Sequence, residues 1–420
     1  MRASLLGRAR HLSTSFSDLE KTMWQKGANA YSTSFAAVTT QAVNALLDGA
    51  GVPYTPPAVR ARVMSVAPAV IPGYNLAANP APSVPAPSTE ELAALHEPSW
   101  SEPKFSLLDI ATGPGMLARA AAERGATQVV GLDSSENFIS LAQPVADSFP
   151  GVVKFEVGDA QKLPFDSASF DAVTMGFLLL HLPEPEAALA EAFRVLKPGG
   201  KLAFSVWQEG APGFSVVLDA IAKHGDGNVS LPGAPLPFFH FADPKNAAGA
   251  LATAGFEASS VRHELIPCYA PLGEPDDLFQ MFATATARTR ATLEAQTPDQ
   301  LDAIRSAMRA EVEARFAGTP SSICPTSLIA PQRSTSWIAA VPGTDAPLFD
   351  GRPNGRVPYT VPMPCIVASA TKPGGAGASA SASTAAAAKP KAAAPKEAAK
   401  PEEAKPAAPK RTKKAAKKAE

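Results

Sequence analysis

The 420-residue sequence predicts a doubly wound α/β fold built on a mostly parallel sheet, and three observations carry that reading. A short apolar run, 105–108, leads through Asp109 into a turn holding Gly113 and Gly115, then into a helical stretch, 116–124, that Gly125 ends. Beyond it, short β-branched runs alternate with helical runs of roughly 10–15 residues. Three successive strand-like runs also finish in an acid, at Asp109, Asp133 and Asp159. Strands joined through helices pair in parallel by right-handed crossovers, and such sheets bind ligands outside the carboxyl ends of their strands.

Composition limits how much of the chain enters that core. Forty-two prolines make a tenth of the sequence, about twice the usual ~5%. Eleven of them fall in 53–104. Net charge is −1, but 373–420 carries ten Lys and one Arg against four Glu, which leaves an acidic body before a basic tail. Cys268, Cys324 and Cys365 have no metal-like spacing and read as free thiols of an intracellular protein, with no metal expected. No stretch approaches the ~20 apolar residues of a membrane span.

In chain order, 1–17 is basic, rich in Ser and Leu, and without an acid. That is the composition of a transit peptide or of an unstructured start, so a cytoplasmic and a mitochondrial location both stay open. Residues 17–50 read as helical, with Trp24, Tyr31, Phe35 and Leu46 at three- and four-residue steps. Trp24 and Tyr31 are either core aromatics or the inner face of a lid over the glycine turn. Residues 53–104 read as a surface insertion with one capped helix, opened by Ser88-Thr-Glu-Glu91. Strands are expected over 105–108, 127–132, 152–157, 170–176 and 201–207, with helices over 135–149 and 183–196. Further on come a helix over 244–255, a strand over 256–265, helix over 276–316 with a cap at Thr297, and a last strand over 365–370. Pro358, Pro362 and Pro364 argue against a central strand in the insertion 319–364. Residues 373–420 hold no large apolar side chain and read as a disordered Ala/Lys/Pro tail.

Gly113-Pro-Gly-Met-Leu-Ala118 satisfies G-x-G-x-x-A, so a dinucleotide and an oxidoreductase are the first candidates. The three acids point elsewhere. Asp109 at a strand end would crowd a pyrophosphate yet suits an ammonium group. Asp133 is placed to accept from two ribose hydroxyls, and Asp159, with Ala160, from an adenine amine. S-adenosylmethionine carries those three features and no phosphate.

Joint order and spacing of five motifs resemble the class I S-adenosylmethionine-dependent methyltransferases, in the type 11 or ubiquinone/menaquinone-biosynthesis-like branch. They are Leu108-Asp-Ile-Ala-Thr-Gly-Pro-Gly115, Val130-Gly-Leu-Asp-Ser-Ser135, Val157-Gly-Asp-Ala160 with Leu163-Pro-Phe165, Phe170-Asp-Ala-Val173 and Arg194-Val-Leu-Lys-Pro-Gly-Gly200. The resemblance implies a Rossmann-like, seven-stranded sheet over 18–372, its last strand antiparallel and inserted between its two predecessors. It also implies backbone contact to the cofactor from Ala111, Gly113 and Gly115. Asp109 would lie near the amino group, Asp133 and Ser134 at the ribose, Asp159 and Ala160 at the adenine, and Met175 or Gly176 beside the methionine moiety. Ala111 departs from the glycine many members carry. By the same resemblance 274–317 forms a helical lid over the substrate opening.

The catalytic group is harder to read. His181, just past the strand 170–176, falls on the ligand-binding rim, where a neutral imidazole can take a proton from a hydroxyl; it can equally bridge backbone groups at a helix entry. His240 reads as part of a helix entry, with Asp243 as N-cap and Pro244 at the first helical position. Met175-Gly-Phe-Leu178 stands where amino-methyltransferases of nucleic acids and glutamine carry Asn/Asp-Pro-Pro-aromatic. The expected function is methyl transfer to a small molecule at O, N or C, with nucleic acid not expected as a partner. A non-catalytic, cofactor-binding relative is the remaining alternative.

Overall fold

A computed structural model describes residues 15–54, 104–226, 229, 231–317 and 358–374. Residues 1–14 of the expected transit peptide, 55–103 of the insertion, all of 319–357 with Cys324, and the tail beyond Gly374 lie outside them.

The chain opens with α1 (Phe16–Ala30), capped by Ser15, whose hydroxyl accepts the Asp18 N–H at 3.1 Å. A π-helical turn, Tyr31–Phe35, follows, then α2 (Ala36–Thr39) and α3 (Val43–Gly49). A π turn adds one residue to the helical repeat and re-aims the side chains beyond it. Here it leaves Tyr31 and Phe35 stacked, with ring centroids 6.1 Å apart. Gly49 is needed for docking, since a Cβ there would meet the Cβ atoms of Ser369 and Ala203 at 3.2 and 3.3 Å.

The sheet then builds as β1 (Ser106–Ile110), α4 (Met116–Arg124), β2 (Gln128–Asp133), α5 (Glu136–Ser148), β3 (Val153–Val157) and β4 (Phe170–Gly176). It continues as α6 (Pro185–Val195), β5 (Leu196–Trp207), α7 (Pro212–His224), α8 (Pro244–Ala254) and β6 (Arg262–Ile266). After β7 (Tyr269–Leu272) come α9 (Asp277–Ala285), α10 (Arg288–Glu294) and α11 (Pro298–Phe316), then β8 (Tyr359–Pro362) and β9 (Cys365–Thr371).

Seven strands form one sheet in the order β3-β2-β1-β4-β5-β9-β6. All neighbours are parallel except β9, which runs antiparallel to both β5 and β6 and lies between them. The reversal of strand order falls between β1 and β4, which are hydrogen-bonded neighbours, so the crevice opens above their carboxyl ends. β1 and β4 are almost wholly buried, as continuous apolar runs covered on both faces should be.

Two of the resembling motifs turn out to brace the sheet. Arg194 donates to the Phe165 and Leu163 carbonyls at 2.7 and 3.1 Å, while Glu191 accepts the Leu163 N–H at 2.7 Å. Asp171 accepts from the Ser106 hydroxyl at 2.7 Å and from Lys197 at 2.8 Å, joining the starts of β1, β4 and β5.

Two sequence expectations need correction, and two others gain detail. The strand expected over 256–265 begins only at Arg262, because a 3₁₀ turn, Ala258–Ser260, occupies its first half. Residues 276–316 are helical as expected, in three helices, and the last starts at the expected Thr297 cap, a capping box with Gln300. Within the insertion 319–364, Tyr359–Pro362 forms a strand only in a separate two-stranded ribbon with Tyr269–Leu272, so among the described residues no central strand lies there, as its prolines argued. Prolines there are tolerated because the ribbon lies outside the large sheet. The other correction concerns 274–317, the lid that the resemblance implies. Among the described residues none of it lines the cavity above the sheet; α9 packs against α1 and the π turn instead.

Candidate active site

The turn after β1 is held open in left-handed backbone. Ala111, Gly113 and Gly115 have φ of 58°, 54° and 82°. At Gly115 a side chain would also collide with the Phe155 ring, 2.8 Å from the position of a Cβ. The Ala111 methyl group makes the same turn at a conformational cost glycine would not carry.

Asp109, near the end of β1, is 1% exposed. Its two oxygens accept from the Thr112 and Thr174 hydroxyls at 2.7 and 2.9 Å. No lysine or arginine pairs with it among the described residues, and burial pushes its carboxyl up to about 7, against the two threonine bonds. A carboxylate buried without a counter-ion is chemically suited to pair with a cation. Asp133, at the end of β2, accepts the Gly113 N–H through Oδ2 and the Ser135 N–H through Oδ1, both at 2.9 Å. Burial pushes its carboxyl up to about 6. A carboxylate offers about four lone-pair sites, so acceptor capacity remains for a ligand hydroxyl. Asp159 sits exposed past β3 and accepts the Gln161 N–H at 2.8 Å.

These three acids face one cavity of about 440 Å³. Its first half is walled by Asp109, Ala111–Pro114, Asp133, Ser134 and Gly158–Gln161. Its second half belongs to the N-terminal helices and the ends of β4 and β5, through Glu20, Trp24, Tyr31, Phe35, His181 and Trp207. Trp24 and Tyr31 thus reach the cavity, edge to face with each other, and the Phe138 ring lies edge to face with Tyr31 and tilted against Trp24. The Tyr31 hydroxyl bonds the Thr39 hydroxyl at 2.8 Å, and burial pushes it up to about 12, so it stays a neutral phenol. Gln25 ties α1 to the loop after β2, accepting from the Ser135 hydroxyl at 2.7 Å and from the Asn137 amide at 2.8 Å.

Met175 is placed otherwise than expected. Its side chain is wholly buried in the sheet's core and does not line the cavity; Gly176 and Phe177 do. Successive strand residues alternate faces, so the neighbours of Met175 meet the crevice instead. Gly115 likewise is not part of the wall, although the turn depends on it. His240 bonds Asn246 at the helix entry, and Asp243 caps α8 through the Lys245 N–H at 2.8 Å.

Two residues on the wall escaped the sequence reading. Phe177 has φ of 53°, unusual for a bulky side chain, and is held by hydrogen bonds from its N–H to the Ser205 carbonyl and hydroxyl. Its ring stacks on Trp207 with centroids 4.2 Å apart. Glu20, only 4% exposed, accepts through Oε2 from the Trp24 indole at 3.1 Å and meets His181 Nδ1 at 3.0 Å. A glutamate with a tryptophan four residues on was the only local signal. Among the described residues no cluster of three or more His, Cys, Asp or Glu is placed to hold a metal ion. No helix among them is long and apolar enough to cross a membrane.

Comparison with known proteins gives the family. A methyltransferase-domain family matches residues 108–204. The demethylmenaquinone methyltransferase of Thermus thermophilus is 36% identical over 174 residues, which are 38% of this chain and 76% of that protein. The ubiquinone/menaquinone biosynthesis C-methyltransferase of Methylobacterium nodulans is 39% identical over 127 residues, 29% of this chain and 50% of that protein. A solved structure of a Bacillus halodurans protein described as a putative methyltransferase aligns over 68% of this chain and 99% of its own, at 21% identity and a TM-score of 0.36. The chain belongs to the class I S-adenosylmethionine-dependent methyltransferases, in the ubiquinone/menaquinone-biosynthesis-like branch. It spans about half the length of several curated relatives it matches.

Proposed function

We propose that this protein transfers a methyl group from S-adenosylmethionine to a small-molecule acceptor, at oxygen, nitrogen or carbon. The observation that carries the reading is Asp109, a buried carboxylate without a counter-ion on a cavity that Asp133 and Asp159 also face. Those donors and acceptors fit an ammonium, a ribose and an adenine in that order. Asp109 would take the ammonium, Asp133 with the Ser134 backbone the ribose, and Asp159 with Ala160 the adenine edge. Ala111 and Gly113 would let the turn approach the ligand closely, and Gly176 and Phe177 would border its methionine end. Asp109, beside the glycine turn, would repel a pyrophosphate there; Lys21 is the cation on the wall, on the side of the N-terminal helix.

Bound there, the cofactor supplies a methyl group on a positively charged sulfur. The protein's part is mostly positioning, because an in-line displacement needs the acceptor atom aligned behind the methyl carbon. Phe35, Phe177 and Trp207 offer the acceptor an apolar wall and exclude water. His181 is the imidazole on the acceptor side and would take the acceptor's proton where one must leave. Incubation with methyl-labelled S-adenosylmethionine and a panel of phenols, quinols and amines tests this. Label in an acceptor, lost in Asp109→Ala, is expected; label in none of them, with cofactor bound, would favour a non-catalytic relative.

A further inference from the structure

Among the groups on the cavity wall, Glu20 is the one whose placement folding alone does not explain. It sits on the inner side of an amphipathic helix, and taking a carboxylate out of water is costly unless its oxygens are paired. One oxygen is doubly used, by Trp24 Nε1 at 3.1 Å and His181 Nδ1 at 3.0 Å. The other, Oε1, is buried with no hydrogen-bond partner among the described residues. A buried glutamate kept for stability would have both oxygens met, and an unmet one calls for a reason in function.

The partner supplies that reason. His181 lies 161 residues further on, on the 3₁₀ turn Leu179–His181 after β4. Its ring is fixed edge-on by Trp24, with centroids 5.0 Å apart and planes at 86°, and approached by Phe238 at 6.4 Å. A carboxylate at Nδ1 makes that nitrogen the protonated one and leaves Nε2 with its lone pair. Nε2 has no protein partner among the described residues, and unlike Glu20 Oε1 it is not sealed from the cavity. Other titratable groups on the same cavity wall are Lys21, Tyr31, Asp109, Asp133 and Asp159, and the elements packed against the His181 turn carry Glu186 on α6 and His240 on the turn before α8. Glu20 is the carboxylate paired with the ring.

We propose that Glu20 is a positioning residue, holding His181 with Nδ1 protonated and Nε2 bare, so that a general base exists only while α1 lies against the crevice. The inference rests on the methyltransferase reading above. As the acceptor atom bonds to the methyl carbon, the carbon–sulfur electron pair stays on sulfur and the acceptor's proton passes to Nε2. The positive charge that leaves sulfur therefore reappears on the imidazolium, next to the Glu20 carboxylate. Base and counter-ion come from separate parts of the chain, so docking of the N-terminal helix and readiness for proton transfer are one event.

The test is the ring-nitrogen NMR spectrum of full-length, ¹⁵N-histidine-labelled protein with S-adenosylhomocysteine bound, the His181 signals being assigned by their loss in His181→Asn. Wild type is expected to show protonated Nδ1 and bare Nε2. Glu20→Ala should move the ring to the Nε2–H form that free imidazole prefers, and Glu20→Asp should restore the original form at least in part. Wild-type His181 protonated on Nε2, or a tautomer unmoved in Glu20→Ala, overturns the proposal; the wild-type spectrum decides even if the alanine variant does not fold. Failure of wild type to bind S-adenosylhomocysteine would instead remove the methyltransferase reading, so the two failures are told apart by one titration.

Discussion

Gly113 donates its backbone N–H to Asp133 Oδ2 across 2.9 Å, which joins the turn after β1 to the end of β2. The carboxylate that faces the ligand therefore also sets the glycine turn that the ligand must approach. Twenty residues separate the two in sequence, and parallel pairing of β1 with β2 brings them together.

Asp133→Ala should remove charge-assisted bonds to the ribose, each worth about 1.5–3 kcal/mol. Calorimetric titration with S-adenosylhomocysteine is expected to show affinity down by roughly tenfold or more, with an unchanged far-ultraviolet spectrum. Equal affinity in the variant would show that Asp133 does not bind the ribose.

Cofactor binding should be linked to proton release. Burial holds Asp109 up at about 7 and Asp133 up at about 6, so at pH 6 the free site carries protons that the unfolded chain has already lost. A raised carboxyl stabilises the folded state fully only below the ordinary carboxylate range, and that contribution falls as pH rises toward the folded value. A ligand ammonium favours ionised Asp109. Affinity for S-adenosylhomocysteine should therefore rise from pH 5.5 toward pH 7.5 and then level, with up to about one proton released at pH 6. Titrations in buffers of different ionisation enthalpy measure it, and zero proton exchange at pH 6 contradicts the seat assigned to the ammonium.

Ala111→Gly should stabilise the protein. A left-handed alanine costs about 1–2 kcal/mol, while glycine gives back roughly 0.5–1 kcal/mol in unfolded-state entropy. The expected gain is about 0.5–1 kcal/mol, read as a small rise in Tm with cofactor affinity kept. A lower Tm would mean that the turn in solution does not hold Ala111 at positive φ.

Much of the sheet was legible because its strands are apolar, β-branched and closed by turn residues. β4 (Phe170–Gly176) was read to the residue. The antiparallel insertion of Cys365–Thr371 was not readable from periodicity, which carries no strand order, and came from the family resemblance. At the site, Asp109, Asp133 and Asp159 stood out because an acid at or just past the end of three successive strands is a rare pattern. Glu20 did not, because its meaning depends on a histidine 161 residues away, and in a helix it looks like any surface acid. Phe177 was missed since nothing in its neighbours signals a positive φ. The lid over 274–317 was implied by the resemblance and not by the residues, which serve equally for packing on a neighbouring helix, as α9 does on α1.

The basic segment 373–420 has no side chain suited to a pocket, and methyl transfer to a small molecule does not need it. Binding of the full-length protein to RNA or DNA is expected to be weak and without turnover. Tight binding that falls steeply with salt, lost together with activity in a chain ending at Lys372, would move the acceptor from small molecule to nucleic acid.

The central claim is that the cavity above β1 and β4 is built for a cationic, phosphate-free nucleoside. The most direct measurement is the thermal midpoint and calorimetric affinity of the full-length protein with S-adenosylhomocysteine and, separately, with NADH and NADPH. A ligand that binds only the folded state raises stability by mass action, about 2.7 kcal/mol at a hundred times Kd. The account predicts that S-adenosylhomocysteine raises the midpoint and saturates one site while both dinucleotides leave it unmoved. Saturable NADH or NADPH binding with no response to S-adenosylhomocysteine would contradict it.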